Sequence, residues 1–95
     1  MPKYECHKIV HALKIKAVEY DSNKAHRDGR ETDGSAIITP AEDGFAPFKV
    51  DQEYVRKHLW GKSVAEIIGG YYVVCEDGYK SWSPAAAFEK GYTRI

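Results

Sequence analysis

The stretch YYVVCEDGYKSW, residues 71–82, indicates the fold more clearly than any other part of the sequence. Its first four residues combine aromatic and β-branched side chains, which are typical of a buried strand. Asp77-Gly78 is a dipeptide that two-residue type I′ turns favour, and the residues after it return to a partly aromatic, extended pattern. The stretch therefore predicts an antiparallel β-hairpin with its turn at Asp77-Gly78.

Signals for a short helix and a final strand follow the hairpin. Ser83 is a favourable N-cap residue, Pro84 suits the first helical position, and Gly91 suits the left-handed residue after the last turn. The last four residues, YTRI at 92–95, have the pattern of a closing strand. The C-terminal quarter of the chain thus predicts two strands, a helix and a third strand.

The N-terminal segment, residues 4–20, alternates between apolar and polar side chains. In KIK, residues 14–16, the isoleucine and its two lysine neighbours have opposite parity, which favours a half-buried strand. A helix would also place Ile9 and Leu13 on one face, but the β-branched residues of the segment favour extended backbone. A bend near His11 would divide the segment into two strands.

The middle of the chain contains a long polar stretch, DSNKAHRDGRETDG, at residues 21–34. Its one apolar side chain is Ala25, so the stretch cannot bury enough surface to offset the entropy of ordering. We expect a mobile polar loop or a long hairpin tip. Residues 35–39 then predict a strand that ends at Pro40, and residues 45–50 predict an edge strand.

A short helix is expected after this edge strand. Asp51 is a good N-cap for a helix over residues 52–60, and Gly61 would end it. KSVAEII, residues 62–68, would add either a second helical turn or a strand. Gly69-Gly70 would break that element.

Together these segments predict a single α+β domain over residues 1–95. Its sheet would be mainly antiparallel with about four to six strands, and two short helices would cover one face. A chain of 95 residues buries only about 60–65% of its unfolded surface, so its core is small. Seven tyrosines and two tryptophans in so small a protein predict a homo-oligomer, because a subunit interface would bury more aromatic area.

Composition narrows the functional classes. The 14 basic and 14 acidic residues give a net charge of zero, which argues against general nucleic-acid binding and against an anionic-membrane binder. No uncharged stretch approaches the roughly 18 residues of a membrane helix, so no membrane span is predicted. Cys6 and Cys75 lie far apart behind no apolar leader, which predicts a cytoplasmic protein with reduced thiols.

The sequence predicts no metal site, no cofactor and no catalytic residue. Cys6, His7 and His11 are potential metal ligands, but on a strand the two histidines stand ~13 Å apart, too far for one ion. GKS at residues 61–63 resembles the end of a phosphate-binding loop, yet Arg56 stands where that motif needs glycine. No serine or cysteine lies in a motif that would activate it as a nucleophile.

Aromatic and cationic side chains interleave in the C-terminal quarter, which suggests a ligand site. On a strand Lys80 and Trp82 share a face, so the indole could stack on a ring while the ammonium neutralises a phosphate. The alternative is an aromatic core with the lysine stem lying along it. The candidate ligand-binding residues are Tyr79, Lys80, Trp82 and Arg94, followed by Lys14 and Lys16.

A family resemblance rests on eight positions that form the pattern GxYxVxxxDGxxxxxPxxxFxxxY: Gly70, Tyr72, Val74, Asp77, Gly78, Pro84, Phe88 and Tyr92. The pattern resembles the C-terminal part of small, mostly uncharacterised proteins encoded by tailed bacteriophages and prophages. It covers about a third of the chain, and its motifs are structural, so it transfers no catalytic residue.

The resemblance implies a phage or prophage accessory protein that acts by binding in the cytoplasm of the bacterial host. Such a protein would most simply counteract an antiviral defence system by sequestering a nucleotide-like anionic ligand. The alternatives are a protein that occludes a host enzyme, or a minor virion or assembly component. A sequestering protein needs a pocket with cations and an aromatic platform, whereas an occluding protein needs an exposed patch.

Overall fold

The computed structural model describes residues 1–5 and 9–94 and confirms the predicted α+β fold with a mainly antiparallel sheet. Within those residues the strands are β1 (Lys3–Glu5), β2 (Ile9–Tyr20), β3 (Ala36–Pro40), β4 (Phe48–Val50), β5 (Tyr71–Cys75), β6 (Lys80–Ser83) and β7 (Thr93–Arg94). The helices are α1 (Asp21–Asp28), α2 (Gln52–Tyr54), which continues as a π-helical turn (Val55–Leu59), α3 (Val64–Ile67) and α4 (Ala85–Gly91).

The described residues thus form seven strands and four helices, where the sequence predicts four to six strands and two helices. The additional strand is β1, which falls within the predicted segment 4–20. The additional helices are α1, which lies in the stretch predicted to be a loop, and the one-turn helix α3, which is too short to show a periodic pattern. The predicted strand over 35–39 is confirmed as β3, shifted by one residue, and the predicted strand over 45–50 is confirmed for its last three residues, β4. Within residues 62–68, Val64–Ile67 form the one-turn helix α3, so the helical alternative for this segment is confirmed and the strand alternative is wrong.

The long strand β2 lies at the centre of the sheet. On one edge Ile15 N–H donates to Gly70 O over 2.9 Å, next to the pairing with β5. On the other edge Ala12 N–H donates to Pro2 O over 2.9 Å, and Lys14 O accepts from Ala41 N–H over 2.8 Å. The backbone N–H and C=O groups of Ala12 and Lys14 point to the same edge of β2, because alternate residues of a strand direct these groups to the same side. The strands β1 and β3 therefore lie end to end along that edge.

Side chains from β5 divide the core between the two faces of the sheet. Tyr72 packs with Ile15 and with Leu59 of the π-helical turn, whereas the preceding residue Tyr71 packs with Phe88 of α4 on the opposite face. Helices therefore cover both faces, not one face as predicted. The sequence shows helix signals but not the direction in which each connection crosses the sheet.

Because helices cover both faces of the sheet, part of β2 is fully buried and not half-buried as predicted. Val10, Ala12 and Leu13 are all buried, so this part of the strand is covered on both sides. The half-buried strand that the alternation predicts is correct further along, where Lys14 and Lys16 are exposed beside buried Ile15. The segment over residues 4–20 forms two strands, because Tyr4 and Glu5 belong to β1, which pairs antiparallel with β2. The predicted bend near His11 is wrong, because β2 (Ile9–Tyr20) runs through His11 without a break.

The prediction of a loop over residues 21–34 is wrong for Asp21–Asp28, which form α1. The helix ends at Gly29, whose φ of 68° is left-handed. The carboxylate of Asp21 then accepts hydrogen bonds from Arg30 at 2.8 and 3.0 Å and from the backbone N–H of Asp33 at 3.1 Å. Charge-assisted hydrogen bonds thus order a stretch with little apolar surface.

The predicted hairpin is confirmed as β5 and β6, with Tyr72 opposite Trp82, but the turn differs from the predicted type I′. Cys75 N–H donates to Tyr79 O over 2.9 Å, so the loop has three residues. A type I′ turn needs positive φ at both central residues, and among the described residues positive φ occurs at glycines alone, here at Gly78. Asp77 instead accepts a hydrogen bond from Tyr79 N–H at 2.9 Å.

Two helix-capping predictions have different outcomes. Asp51 caps α2 as predicted, because its Oδ1 accepts from Tyr54 N–H at 2.9 Å. At α4 the N-cap position belongs to Pro84, and the Ser83 hydroxyl contacts Pro84 O instead of a helix N–H, so the predicted Ser83 cap is wrong. Gly91 lies inside α4 without positive φ, so its predicted left-handed role is also wrong.

The closing strand is confirmed for Thr93 and Arg94, which pair with β1 as β7; Ile95 lies outside the described residues. Phe88 stacks between Tyr71 and Tyr92, so the end of the chain contributes rings to the core. The helices of the described residues are all too short or too polar to traverse a lipid bilayer.

Candidate ligand-binding cleft

The helical segment formed by α2 with its Asp51 cap and the π-helical turn lies opposite the β5–β6 hairpin, and the two elements line a cleft of about 230 Å³, which we call the hairpin cleft. The two elements are joined at its floor by Tyr54, whose hydroxyl donates to Ser81 O over 2.8 Å. The lining residues come from both elements: Asp51, Glu53, Tyr54, Lys57, His58, Gly78, Tyr79 and Lys80.

Three rings follow one another along the hairpin cleft. The centroids of Tyr54 and His58 lie 4.9 Å apart, and those of His58 and Tyr79 lie 6.0 Å apart in an edge-to-face arrangement. His58 belongs to the π-helical turn, which is closed by a hydrogen bond from Trp60 N–H to Val55 O. Single π-helical turns are rare and often occur at functional sites.

The imidazole of His58 is held in its neutral form. Burial lowers the pKa of His58, and the positive charges of Lys57 and Lys62 lower it further. A hydrogen bond to the backbone of Lys80 raises the pKa of His58, but this effect is smaller than that of burial. At neutral pH the ring therefore offers an uncharged aromatic face and one nitrogen acceptor.

The charges in the hairpin cleft are nearly balanced. Lys57 Nζ lies 2.9 Å from Glu53 Oε1, and the Asp51 carboxylate caps α2. Lys80 is exposed and forms no ion pair with any described residue. The two lysines and two carboxylates that line the cleft therefore balance in formal charge.

Trp82 lies near the hairpin cleft but does not line it. Its indole Nε1 donates to Ile67 O over 3.4 Å, and Lys62 Nζ lies 5.0 Å from the ring centroid. Lys80 and Trp82 do share a face of β6, since they pair with Val74 and Tyr72. Because Lys62 lies over the indole, a planar ligand would have to displace that lysine to stack there.

Lys14 and Arg94 line a second cleft, of about 280 Å³, where β1 and β3 diverge along β2. Both cations are paired with carboxylates: Lys14 Nζ lies 3.2 Å from Glu89 Oε2, and Arg94 Nη1 lies 2.7 Å from Glu42 Oε1. The ammonium of Lys14 also lies 5.8 Å from the Tyr71 centroid. These pairs neutralise the second cleft.

The six predicted ligand residues are therefore not one cluster. Tyr79 and Lys80 meet in the hairpin cleft, Lys14 and Arg94 meet in the second cleft, and Lys16 is exposed outside both. Sequence reasoning missed Tyr54, Lys57 and His58. Their spacing of three and four residues indicates a shared helix face, but nothing in the sequence pairs that face with the hairpin.

No group of three histidine, cysteine, aspartate or glutamate side chains converges within residues 1–5 and 9–94 in a way that could hold a metal ion. Cys6 and His7, weighed above as ligands, lie outside the described residues. Comparison of the chain with protein-family models, curated proteins and solved structures finds no match.

Proposed function

We propose that this protein is a non-enzymatic binding protein whose hairpin cleft takes a nucleotide-like ligand with a single anionic group. The observation that carries this proposal is the convergence of two accessible rings and two lysines in one concave site. His58 and Tyr79 provide the rings, and Lys57 and Lys80 provide the cations. Aromatic stacking and lysine contacts are the common means by which proteins hold bases and phosphates.

Tyr79 is the surface on which a base would stack. Its side chain is 54% exposed, and its ring stands edge-to-face against the neutral His58. The phosphate or carboxylate of the ligand would contact Lys80, which has no carboxylate partner among the described residues. Lys57 would add a second contact if Glu53 released it, since the pair between them is solvent-exposed and weak.

The size of the cleft limits the ligand. Its volume of about 230 Å³ lies below the roughly 300–1,000 Å³ of sites that bury a drug-sized molecule. A mononucleotide, with part of its sugar in solvent, matches this space better than a dinucleotide.

The biological role that we propose is sequestration of a host signalling nucleotide by a phage or prophage protein. The resemblance of the C-terminal pattern to tailed-phage proteins supports this role, and stoichiometric binding without turnover is what it requires. A host carrying a nucleotide-signalled defence system should then be infected more efficiently when it expresses this chain.

Native mass spectrometry of protein purified from a bacterial host, followed by calorimetric titration with AMP, GMP and cyclic dinucleotides, tests the proposal. We expect a retained or added nucleotide mass, and roughly tenfold weaker binding after Tyr79→Ala or Lys80→Ala. Lys16→Ala is the matched control, because Lys16 is exposed and lies outside the hairpin cleft. Equal affinity in all four proteins would refute the assignment of the site.

A further inference from the structure

The hairpin cleft contains a side chain that can change its charge near neutral pH. His58 is the one histidine among the described residues that line the cleft, and histidine ordinarily changes its charge between pH 5 and 8. Its half-buried ring lies 4.9 Å from that of Tyr54 and 6.0 Å from that of Tyr79, measured between centroids. Because the cleft has a volume of only about 230 Å³, a charged group bound in it lies close to this imidazole.

One nitrogen of His58 is already engaged. The hydrogen bond between the imidazole and the backbone of Lys80 raises the pKa of His58, so the ring is the donor and the Lys80 carbonyl is the acceptor. In the neutral ring the other nitrogen then carries a lone pair. A lone pair repels a phosphate or carboxylate oxygen, whereas a protonated nitrogen donates a charge-assisted hydrogen bond to it. The neutral imidazole therefore disfavours an anion, and the protonated imidazole favours it.

The groups that face His58 in the free protein keep the ring neutral. Burial lowers the pKa of His58 most, followed by the positive charges of Lys57 and Lys62. The Lys62 ammonium is held near the ring by a 2.8 Å hydrogen bond to His58 O. The two carboxylates of the cleft already have other partners, since Glu53 pairs with Lys57 at 2.9 Å and Asp51 caps α2. A bound anion would supply the negative charge that an imidazolium needs.

We infer that His58 takes up a proton from solvent when an anionic ligand binds in the hairpin cleft, and that the imidazolium contacts the anionic group together with Lys80. The two lysines and two carboxylates of the cleft balance, so protonation of His58 gives one positive charge in excess, which the ligand neutralises. This inference rests on the proposed function, because it requires an anion in the cleft. It makes His58 the residue that selects anionic over neutral ligands as pH falls.

The direction of the pH dependence follows from this coupling. A bound anion raises the pKa of His58, so the complex holds a proton at pH values where the free protein does not. Between the pKa of the free protein and that of the complex, the affinity rises by up to about tenfold for each pH unit by which the pH falls. Outside that window the affinity is constant.

Calorimetric titration of the chain with cyclic AMP at several pH values from about 8 to about 5 tests the inference. The phosphodiester of this nucleotide keeps one negative charge over that range. We expect the Kd to fall at least about threefold as the pH falls, with net proton uptake measured in buffers of different ionisation enthalpy. His58→Phe keeps a ring but cannot take up a proton, so its Kd should not depend on pH. The matched control is His26→Phe, which should keep the pH dependence of the wild type because His26 is exposed on α1, outside the cleft.

Nuclear magnetic resonance of the wild-type chain measures the same coupling without a substitution. The ring signals of His58 should titrate at higher pH in the presence of saturating cyclic AMP than in its absence. An unchanged titration, or a Kd that does not depend on pH, would overturn the inference and leave the proposed function standing. If cyclic AMP, AMP and GMP all failed to bind at every pH, the proposed function and this inference would both be wrong.

Discussion

Replacing Phe88 tests whether α4 forms the core on its face of the sheet. The side chain is 1% exposed, and its ring stacks 4.2 Å from Tyr71 and 4.6 Å from Tyr92, measured between centroids. It also contacts Tyr4 edge-to-face at 4.8 Å. Truncation of a buried phenylalanine to alanine usually costs about 3–5 kcal/mol.

That loss is large for this chain. At roughly 0.05–0.15 kcal/mol per residue, a protein of 95 residues has an unfolding free energy of about 5–14 kcal/mol. Phe88→Ala should therefore remove between a fifth and all of the stability. Phe88→Leu keeps most of the apolar volume but loses three ring contacts, each worth about 0.5–1.5 kcal/mol, so its effect should be intermediate.

Urea denaturation followed by far-ultraviolet circular dichroism at 25 °C measures these differences. Phe45→Ala is a suitable control, since Phe45 is 36% exposed and should change stability by no more than about 0.5 kcal/mol. If Phe88→Ala lost less than about 1 kcal/mol, or no more than Phe45→Ala, the packing of α4 against Tyr71 and Tyr92 would be refuted.

Three further predictions concern single contacts. The hydrogen bonds from Arg30 lower the pKa of Asp21, so this carboxylate stabilises the fold above its unfolded pKa of ~3.9 and loses that effect as pH falls below it. The melting temperature of Asp21→Asn should therefore depend less on pH below about 4 than that of the wild type. Identical pH profiles would contradict this prediction. Gly70→Ala should lose about 1–3 kcal/mol in urea denaturation, because the added Cβ would lie 2.6 Å from Trp82 Nε1 and 2.8 Å from a backbone oxygen; a neutral effect would show that β6 adjusts freely. Tyr54→Phe should lose about 1 kcal/mol through its missing 2.8 Å hydrogen bond to the β6 backbone, and unchanged stability would argue against that bond.

Local chemistry explains which elements could be predicted. The hairpin, the Asp51 cap and the strand ending at Pro40 depend on residues within a few positions of one another, so their patterns are visible in the sequence. The prediction of a loop over residues 21–34 was wrong for the opposite reason, since the order in this stretch depends on contacts that no local pattern shows. The polar composition of this stretch argued against an ordered structure. Specific hydrogen bonds from Arg30 and from the backbone of Asp33 to Asp21 nevertheless order it, and composition does not reveal hydrogen bonds of this kind.

The residues of the candidate site also include some that the local sequence predicted and others that it did not. Tyr79 and Lys80 are adjacent in the sequence and were predicted together. His58 joins them across the hairpin cleft through contacts between residues about 20 positions apart, and Arg94 is drawn away to Glu42 by an ion pair. Long-range pairing of this kind depends on which strands become neighbours, and alternation along one strand carries no such information.

The sequence by itself determined the class of fold, the position of the C-terminal hairpin and the interleaving of rings with cations, because these depend on local backbone preference and side-chain periodicity. Tertiary structure alone decided that helices cover both faces of the sheet, that Trp82 lies under Lys62 while Tyr79 remains open, and that Lys14 and Arg94 are neutralised in a separate cleft. The physical reason is that burial and charge pairing are properties of surfaces brought together by the fold, which no single stretch of the chain contains.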